Sequence, residues 1–346
     1  MNVIEGAYLA DILDQPRAIS ATLDRMEIDP RLEMLAGKWR SGSFARVILT
    51  GMGSSLYALH PLQIELTAAR GAPYLVETAE LLHSLPRLLE GALIVAVSQS
   101  GRSAEIVRLL REKPGSAAII GVTNTPGSPL DSQADAVLMS HAGEEFSVSC
   151  KTYVAALAAL RLLGTVLSGG DAGACRAELA RSAGAAAQYL EDWRGHVDQL
   201  ARLTDTANLT KLFLVGRGAS LAAVLTGGLI LKESTHTAAE GMSSAAFRHG
   251  PLETAGPGTV VMVFGGDGKL LDLTRRLCDD LRKVGATVMA VGADAAAAAL
   301  KLPDVPAPLL PILEILPVEM LTLALAARKG FEAGRFSHAT KVTTVE

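Results

Sequence analysis

Three hydroxyls, an amide and a glycine stand within six consecutive positions, Ser98-Gln99-Ser100-Gly101-Arg102-Ser103. They follow six apolar residues, Ala92 to Val97, that read as a buried strand, and precede a helical run from Ala104 to Leu110. The first N–H groups of such a helix have no acceptor within it. The aligned peptide dipoles add roughly half a positive charge there. Ser98, Ser100 and Ser103 supply hydroxyl donors, and Gly101 lets backbone come close to a ligand. A single serine would be an ordinary N-cap. This density of donors points instead to an anion cradle for a phosphate group.

Other chemistries fit less well. GMGSS (51–55) and GRGAS (216–220) are Gly/Ser turns after strands, yet neither completes G-x-G-x-x-G: Gly53 is followed three later by Leu56, and Gly218 by Leu221. No clear ribose-binding acid follows, so dinucleotide binding is not expected. Glu233, His236 and Glu240 fall at i, i+3 and i+7, one face of a helix if the helix runs that far. Glu-x-x-His is a ligand spacing in carboxylate-bridged metal proteins, which need a second such pair. The one other such pair, Glu80 and His83, lies in the first copy of the repeat rather than beside Glu233, and no metal is expected.

The chain has 346 residues, 49% of them hydrophobic and only 4% aromatic, so small aliphatic side chains fill the core. The net charge is -4, without a long basic run, which argues against nucleic acid as a partner. Cys150, Cys175 and Cys278 show no metal-type spacing, and an odd count suits a reducing cytoplasm. The N-terminus lacks the apolar core of a secretory signal, and no stretch reaches 18 uninterrupted apolar residues, so neither export nor a membrane span is expected.

The elements that would carry the cradle alternate strand and helix, which predicts a parallel sheet with right-handed crossovers. Strands are expected at Arg46 to Thr50, Pro73 to Glu77, Ala92 to Val97, Ala117 to Val122 and Ala136 to Met139, then a long helix from Tyr153 to Leu167. After a helical, alanine-rich linker the pattern restarts, with strands at Lys211 to Val215, Thr259 to Phe264 and Thr287 to Val291. A helix is expected from Leu221 to His236 and a last one from about Pro317 to Lys329. VILTGMGSS and LFLVGRGAS recur at an offset of 165, an internal duplication of one α/β unit. The copies differ where Ser98-Gln99-Ser100-Gly101 answers to Gly265-Gly266-Asp267-Gly268. A carboxylate in the second cradle would repel phosphate, so the first copy is expected to keep that site and the second to have lost it.

Taken together, TGMGSS (50–55), SQSGRSAEI (98–106), NTPGSPL (124–130), AGEE (142–145), GRGAS (216–220), LKES (231–234), AEGMSSAAFRHGPLE (239–253) and TKVTTVE (340–346) resemble the tandem sugar isomerase (SIS) family. The likeness is to the isomerase half of glucosamine-6-phosphate synthase and to SIS-type glucosamine-6-phosphate deaminases, and it runs nearly end to end. It implies an α/β fold of two tandem SIS units, each a mostly parallel sheet flanked by helices in a flavodoxin-like three-layer sandwich. The expected segments are an N-terminal helical piece (1–36), a phosphate-binding SIS unit (37–170), a helical linker (171–203), a second SIS unit (204–335) and a tail (336–346) completing the active site.

The resemblance also implies roles. Ser55, Ser98, Gln99, Ser100 and Ser103 would hold a sugar phosphate, and Gly53, Ser54, Val148, Glu240 and Thr340 would line the sugar. Glu233 matches the enolising base, His249 the ring-opening histidine supplied across a homodimer interface, and Lys341 the tail lysine that meets the open-chain carbonyl. By residue type alone, Glu233 reads equally as a surface acid, His249 as a turn cap and Lys341 as a solvated charge. The sequence departs from its relatives at Ile230, where the synthases carry lysine, in a shorter loop over 146–152, at Ala245-Ala246 where a carboxylate is missing, and in the tail at 332–336. The resemblance thus implies a cytoplasmic, cofactor-free enzyme acting on a hexose 6-phosphate or its 2-amino derivative. With no glutaminase part in this sequence, deamination of glucosamine 6-phosphate is the expected direction, with aldose–ketose isomerisation and fructosamine 6-phosphate deglycation as alternatives. A non-catalytic sugar-phosphate sensor is the reading from another class. A DNA-binding regulator is disfavoured, since no helix-turn-helix precedes the first unit.

Overall fold

A computed structural model describes residues 2–69, 71–266, 268–293, 300–338 and 340–341. The chain folds as two compact units. The first holds Gln15–Glu145, Cys150–Ala183 and the tail residues Thr340 and Lys341; the second holds residues 2–14, Phe146–Ser149 and Gly184–His338.

In the first unit five parallel strands, β1 (Arg46–Gly51), β2 (Tyr74–Glu77), β3 (Ala92–Val97), β4 (Ala118–Thr123) and β5 (Ala136–Met139), lie in the order β2-β1-β3-β4-β5. Every residue of β3 is buried, as an unbroken apolar run in a doubly covered parallel sheet should be. Val95 sits in register with Leu49 of β1 on one side and Ile120 of β4 on the other. Ile94, Ala96, Ile106, Leu109 and Leu130 form one core cluster on this sheet. The helix Lys151–Ser168 packs against the helices Gln15–Arg25 and Pro30–Ser41.

The second unit repeats the plan with β6 (Lys211–Gly216), β7 (Ala239–Ser243), β8 (Thr259–Phe264), β9 (Thr287–Gly292) and β10 (Leu300–Lys301). Its order, β10-β9-β8-β6-β7, is that of the first sheet with equivalent strands in equivalent places, again parallel throughout. Two parallel sheets flanked by helices, built on one topology, are therefore the tandem α/β units that the internal repeat foreshadowed. In this strand order the connections part between β1 and β3, and between β6 and β8. Ligands of doubly wound sheets bind beyond the carboxyl ends of the strands at such a point.

Four elements differ from the sequence expectation, one being β10, where the sequence predicts no strand. The last helix is Leu310–Lys329, seven residues longer, with Pro317 inside it. Leu310 to Ala326 are all buried, at about 1.5–3 kcal/mol for each large aliphatic side chain. That outweighs the roughly 3 kcal/mol cost of an internal proline. The helix Leu221–Thr235 ends one residue early, because His236 takes a left-handed conformation at φ 50°. And β7 has no strand signal in its sequence, AEGMS. Its place is fixed by glycine: a Cβ on Gly241 would lie 2.2 Å from the Val224 carbonyl oxygen, and one on Gly228 2.5 Å from the Gly241 nitrogen. Strand and helix thus touch backbone to backbone.

The linker is two helices, Ala172–Glu191 and Trp193–Thr206, parted at Asp192, whose side chain accepts from Gly195 N–H at 3.3 Å. By length and composition, the segments Lys151–Ser168 and Ala307–Lys329 could cross a bilayer; 78% and 94% of them is buried inside the protein, as core helices are. The three cysteines are buried thiols that form no disulfide among the described residues.

Candidate active site

The loops leaving β1 and β3 meet at the end of the first sheet. A Cβ on Gly51 would lie 2.9 Å from the Val97 carbonyl oxygen, so the β1 loop runs directly against the end of β3. Gly53 follows at φ 51° and caps the short helix Ser54–Tyr57, where Ser54 and Ser55 are half-buried. On β3, Ser98 N–H extends the sheet to the Val122 carbonyl at 3.0 Å. Its hydroxyl oxygen accepts from Gly101 N–H at 3.1 Å, and Ser100 Oγ accepts from Arg102 N–H at 3.2 Å. Both hydroxyls keep their protons to donate. Gly101 sits at φ 60°, where a Cβ would come within 2.3 Å of Ser128 Oγ. Ser103 is the N-cap of the helix Ala104–Glu112 but its side chain makes no capping bond, so the first N–H groups of that helix are not taken up by its oxygen.

The next loop braces this one. The Gln99 carbonyl accepts from Asn124 N–H (3.1 Å), Thr125 Oγ1 (3.1 Å) and Thr123 Oγ1 (3.3 Å). The Asn124 amide oxygen accepts from Ser140 Oγ and Ala142 N–H, and its Nδ2 donates to the Gly143 carbonyl. A cleft of about 600 Å³ opens beside these residues, lined among others by Arg25, Gln99, Ser100, Arg102, Asn124, Glu145 and Lys341. Its basic groups suit an anionic ligand.

Lys341 reaches the cleft because Glu145 holds it. The Lys341 ammonium donates to the Glu145 backbone carbonyl and stands 3.4 Å from Glu145 Oε2. The Glu145 carboxylate, itself buried, accepts from Cys150 N–H (3.0 Å), Thr152 N–H (2.9 Å) and Thr152 Oγ1 (2.8 Å). Glu145 stands in the AGEE stretch and Asn124 in NTPGSPL, where the sequence alone gives neither a task. The signal is present in the motifs, while the bonding that explains it is long-range.

The remaining candidates belong to the second unit, apart from Thr340, an exposed residue of the first. Glu233 is half-buried in the last turn of Leu221–Thr235, and burial pushes its pKa up to about 7, against the opposing pull of Lys232. A carboxyl poised near neutrality is the form a general base for carbon acids takes. His249 follows the short helix Ser244–Arg248, exposed to solvent, and donates its backbone N–H to the Ala246 carbonyl at 3.0 Å. Val148 is buried. Glu240 is exposed on β7, beyond the break at His236, so Glu233, His236 and Glu240 do not share a helical face. Among the described residues no cluster of three His, Cys, Asp or Glu could hold a metal. Asp267, on which the expected loss of the second cradle rests, lies outside the described residues, as does the tail over 342–346.

The SIS-domain family profile matches this chain over residues 44–166 and 207–305. Among curated proteins, glutamine–fructose-6-phosphate aminotransferase [isomerizing] of Pyrococcus horikoshii is 28% identical over 367 aligned positions, covering 99% of this chain and 58% of its own length. The chain thus spans a little over half of the curated relatives it matches. Among solved structures, the C-terminal domain of glucosamine-fructose-6-phosphate aminotransferase from Francisella tularensis superposes with TM-score 0.82 at 20% identity, covering 95% of this chain and 98% of that one. Glucosamine-6-phosphate deaminase from Thermotoga maritima superposes with TM-score 0.77 at 19% identity over 98% and 100% of the two chains.

Proposed function

The chain belongs to the SIS-domain family, and from that premise we propose that it is a phosphosugar enzyme whose substrate phosphate sits on the Ser98–Ser103 loop. The observation that carries this reading is the cleft that joins Gln99 and Ser100 to Lys341. A phosphate cradle alone would suit any phosphate ester. A cradle that shares its cleft with a tethered lysine suits a phosphorylated carbonyl compound, because an amine or ammonium meets a carbonyl as Schiff base or proton donor.

The reaction we assign first is deamination of glucosamine 6-phosphate to fructose 6-phosphate and ammonia, with water consumed. Ser55, Ser98, Gln99, Ser100 and Ser103 bind the phosphate, with Gly53, Ser54, Val148, Glu240 and Thr340 toward the sugar. His249, contributed by the second subunit of a homodimer, moves the ring proton that opens the pyranose. Glu233 takes the proton from C2 and returns it at C1, so the aldehyde becomes a primary alcohol and C2 an imine. Water then displaces ammonia from C2. Lys341 polarises the C1 oxygen as charge builds on it. Neither metal nor organic cofactor enters this route. Support comes from the raised pKa of Glu233 and from the curated relative named for fructose 6-phosphate and an amino transfer. The same groups serve plain aldose–ketose isomerisation, for which the bracketed word in that relative's name speaks.

The test is to incubate purified protein with glucosamine 6-phosphate and follow ammonia and fructose 6-phosphate together. Equal release of both, abolished by Glu233→Gln, supports the deaminase. Interconversion of a hexose 6-phosphate without ammonia moves the assignment to the isomerase. Stabilisation by hexose 6-phosphates without any turnover moves it to a sugar-phosphate sensor.

A further inference from the structure

The second unit has its own cleft in the place equivalent to the first. The first cleft is lined by residues just past β3 (Gln99, Ser100) and β4 (Asn124, Thr125). A cavity of about 690 Å³ in the second unit is lined by residues just past β8 (Gly265, Gly266) and β9 (Gly292, Ala293). The duplication has therefore kept a cavity and changed its chemistry. Ser98 and Gln99 give way to Gly265 and Gly266, and Ser100 answers to Asp267 in the sequence, so the side-chain donors a phosphate would use there are gone.

An acid takes their place. Glu314, on the helix Leu310–Lys329, lines this cavity and is fully buried. Its Oε1 accepts from Ser220 Oγ at 2.8 Å and the Gly266 N–H also bears on the carboxyl, while Oε2 itself makes no hydrogen bond among the described residues. A buried carboxyl oxygen left without a donor is costly to keep, and a wall of the cavity is where a ligand could supply the donor. At the rim, Arg282 and Arg275 each face an aspartate of their own helix, Asp279 at 3.2 Å and Asp272 at 3.5 Å. Exposed Asp304 stands at the same rim. The first cleft carries Arg25, Arg102 and Lys341 beside Glu144 and Glu145, whereas the second carries Asp279, Asp304 and Glu314 beside Arg275 and Arg282, so the balance of charge turns from basic to acidic.

We propose that the second cavity is a binding site for a small unphosphorylated organic amine, whose ammonium donates to Glu314 Oε2 at the floor and is drawn in past Asp304. Burial raises the Glu314 carboxyl, against the weaker pull of the Ser220 hydroxyl and the Gly266 N–H, as expected of an acid lacking a cationic partner. An ammonium at this position is that partner. The site is separate from the phosphate cleft and does not depend on which reaction that cleft performs.

D-Glucosamine serves as probe, with D-glucose as the matched neutral sugar, in calorimetric titrations of the full chain. Saturable glucosamine binding is expected, with glucose about tenfold weaker or worse, the scale of one charge-assisted hydrogen bond. Glu314→Gln should weaken glucosamine about tenfold or more, and Asp304→Lys several-fold. Ser100→Ala should leave glucosamine binding unchanged. Because Asp304 is exposed, its substitution reports on the site even where the buried change upsets folding. Absence of saturable glucosamine binding overturns the proposal. So do equal affinity for glucose, indifference to both Glu314→Gln and Asp304→Lys, or loss of binding in Ser100→Ala, which would place the amine in the phosphate cleft.

Discussion

Lys341 is tied to Glu145 twice, through the backbone carbonyl and through the carboxylate 3.4 Å away. Glu145 is in turn fixed by four donors, the N–H and Sγ of Cys150 and the N–H and Oγ1 of Thr152. A lysine in a polar tail would otherwise sample many rotamers, at about 1.5–2 kcal/mol of side-chain entropy to fix it. The tether orders that side chain before substrate arrives. Glu145→Gln keeps the volume but turns an NH2 toward a donor and removes the charge facing Lys341. We expect kcat to fall on the order of tenfold or more, and stability to drop by about 1–3 kcal/mol, the cost of a buried donor left without acceptor. Steady-state kinetics beside urea denaturation would check this. Unchanged kcat in a folded variant would show the tether to be idle.

Glu233 gives a pH profile. Its folded pKa is raised to about 7, and a base acts only when deprotonated. Activity should therefore rise with pH across the range around 7 and level off above it. Glu233→Gln should remove about 10²–10⁴ of kcat, the usual share of a positioned general base. A kcat/KM profile flat between pH 6 and 8 would assign the proton transfer to another group.

Glu314 makes a prediction about stability with the opposite sign from most carboxylates. Burial raises its folded pKa from the ordinary 4.5 to about 7. Between those values the folded state binds a proton that the unfolded chain has released, so stability falls as pH rises from about 4.5 to 7. Glu314→Gln is free of that penalty. The variant should gain on the wild type by up to about 3 kcal/mol at pH 8 relative to pH 5, at about 1.4 kcal/mol for each pH unit between the two pKa values. Paired melting curves at the two pH values decide it; an equal difference at both would mean that Glu314 stays ionised throughout.

The close contact between β7 and the Leu221–Thr235 helix predicts intolerance to a single methyl group. In Gly241→Ala the Cβ would meet the Val224 carbonyl at 2.2 Å, a backbone atom that cannot swing away. We expect a loss of about 3 kcal/mol or more, at the upper end for overpacking. Activity should fall with it, since that helix carries Glu233. By contrast, Gly37→Ala, inside the helix Pro30–Ser41 where a Cβ meets nothing within 4 Å, should raise the denaturation midpoint, by about 0.4–1 kcal/mol of stability.

These positions also show how far the sequence could be read. The β3 run with its serine-rich end, the repeat of VILTGMGSS as LFLVGRGAS and the strand–helix alternation all rest on local patterns, and the first sheet and three strands of the second follow from them. The strand AEGMS is invisible in the sequence because nothing in it favours a strand; close backbone approach to Val224 and Gly228 decides its course. Pro317 reads as a helix start because a proline usually is one, until the burial of every residue from Leu310 to Ala326 is weighed against it. Glu145 and Lys341 lie 196 positions apart, and no periodicity joins such a pair. Glu314 sits in an apolar stretch where its charge gives no hint of a cavity beside it.

His249 supplies the last prediction. Its ring is exposed at the end of the Ser244–Arg248 helix, and Gly250 follows at φ 148°, a conformation that ordinary residues rarely adopt. An exposed imidazole is a poor general acid for ring opening unless another surface encloses it. In the proposed homodimer that surface is the neighbouring subunit's. Glu233→Gln and His249→Ala should each be inactive alone, while an equal mixture, unfolded and refolded together, should recover activity. In a twofold assembly with random pairing, half the dimers are mixed and each of those has one intact site, so recovery should approach about a quarter of wild type. Recovery requires the two residues of a working site to come from different chains. A mixture as inactive as its parents, with dimers verified by ultracentrifugation, would put Glu233 and His249 of one site on one chain.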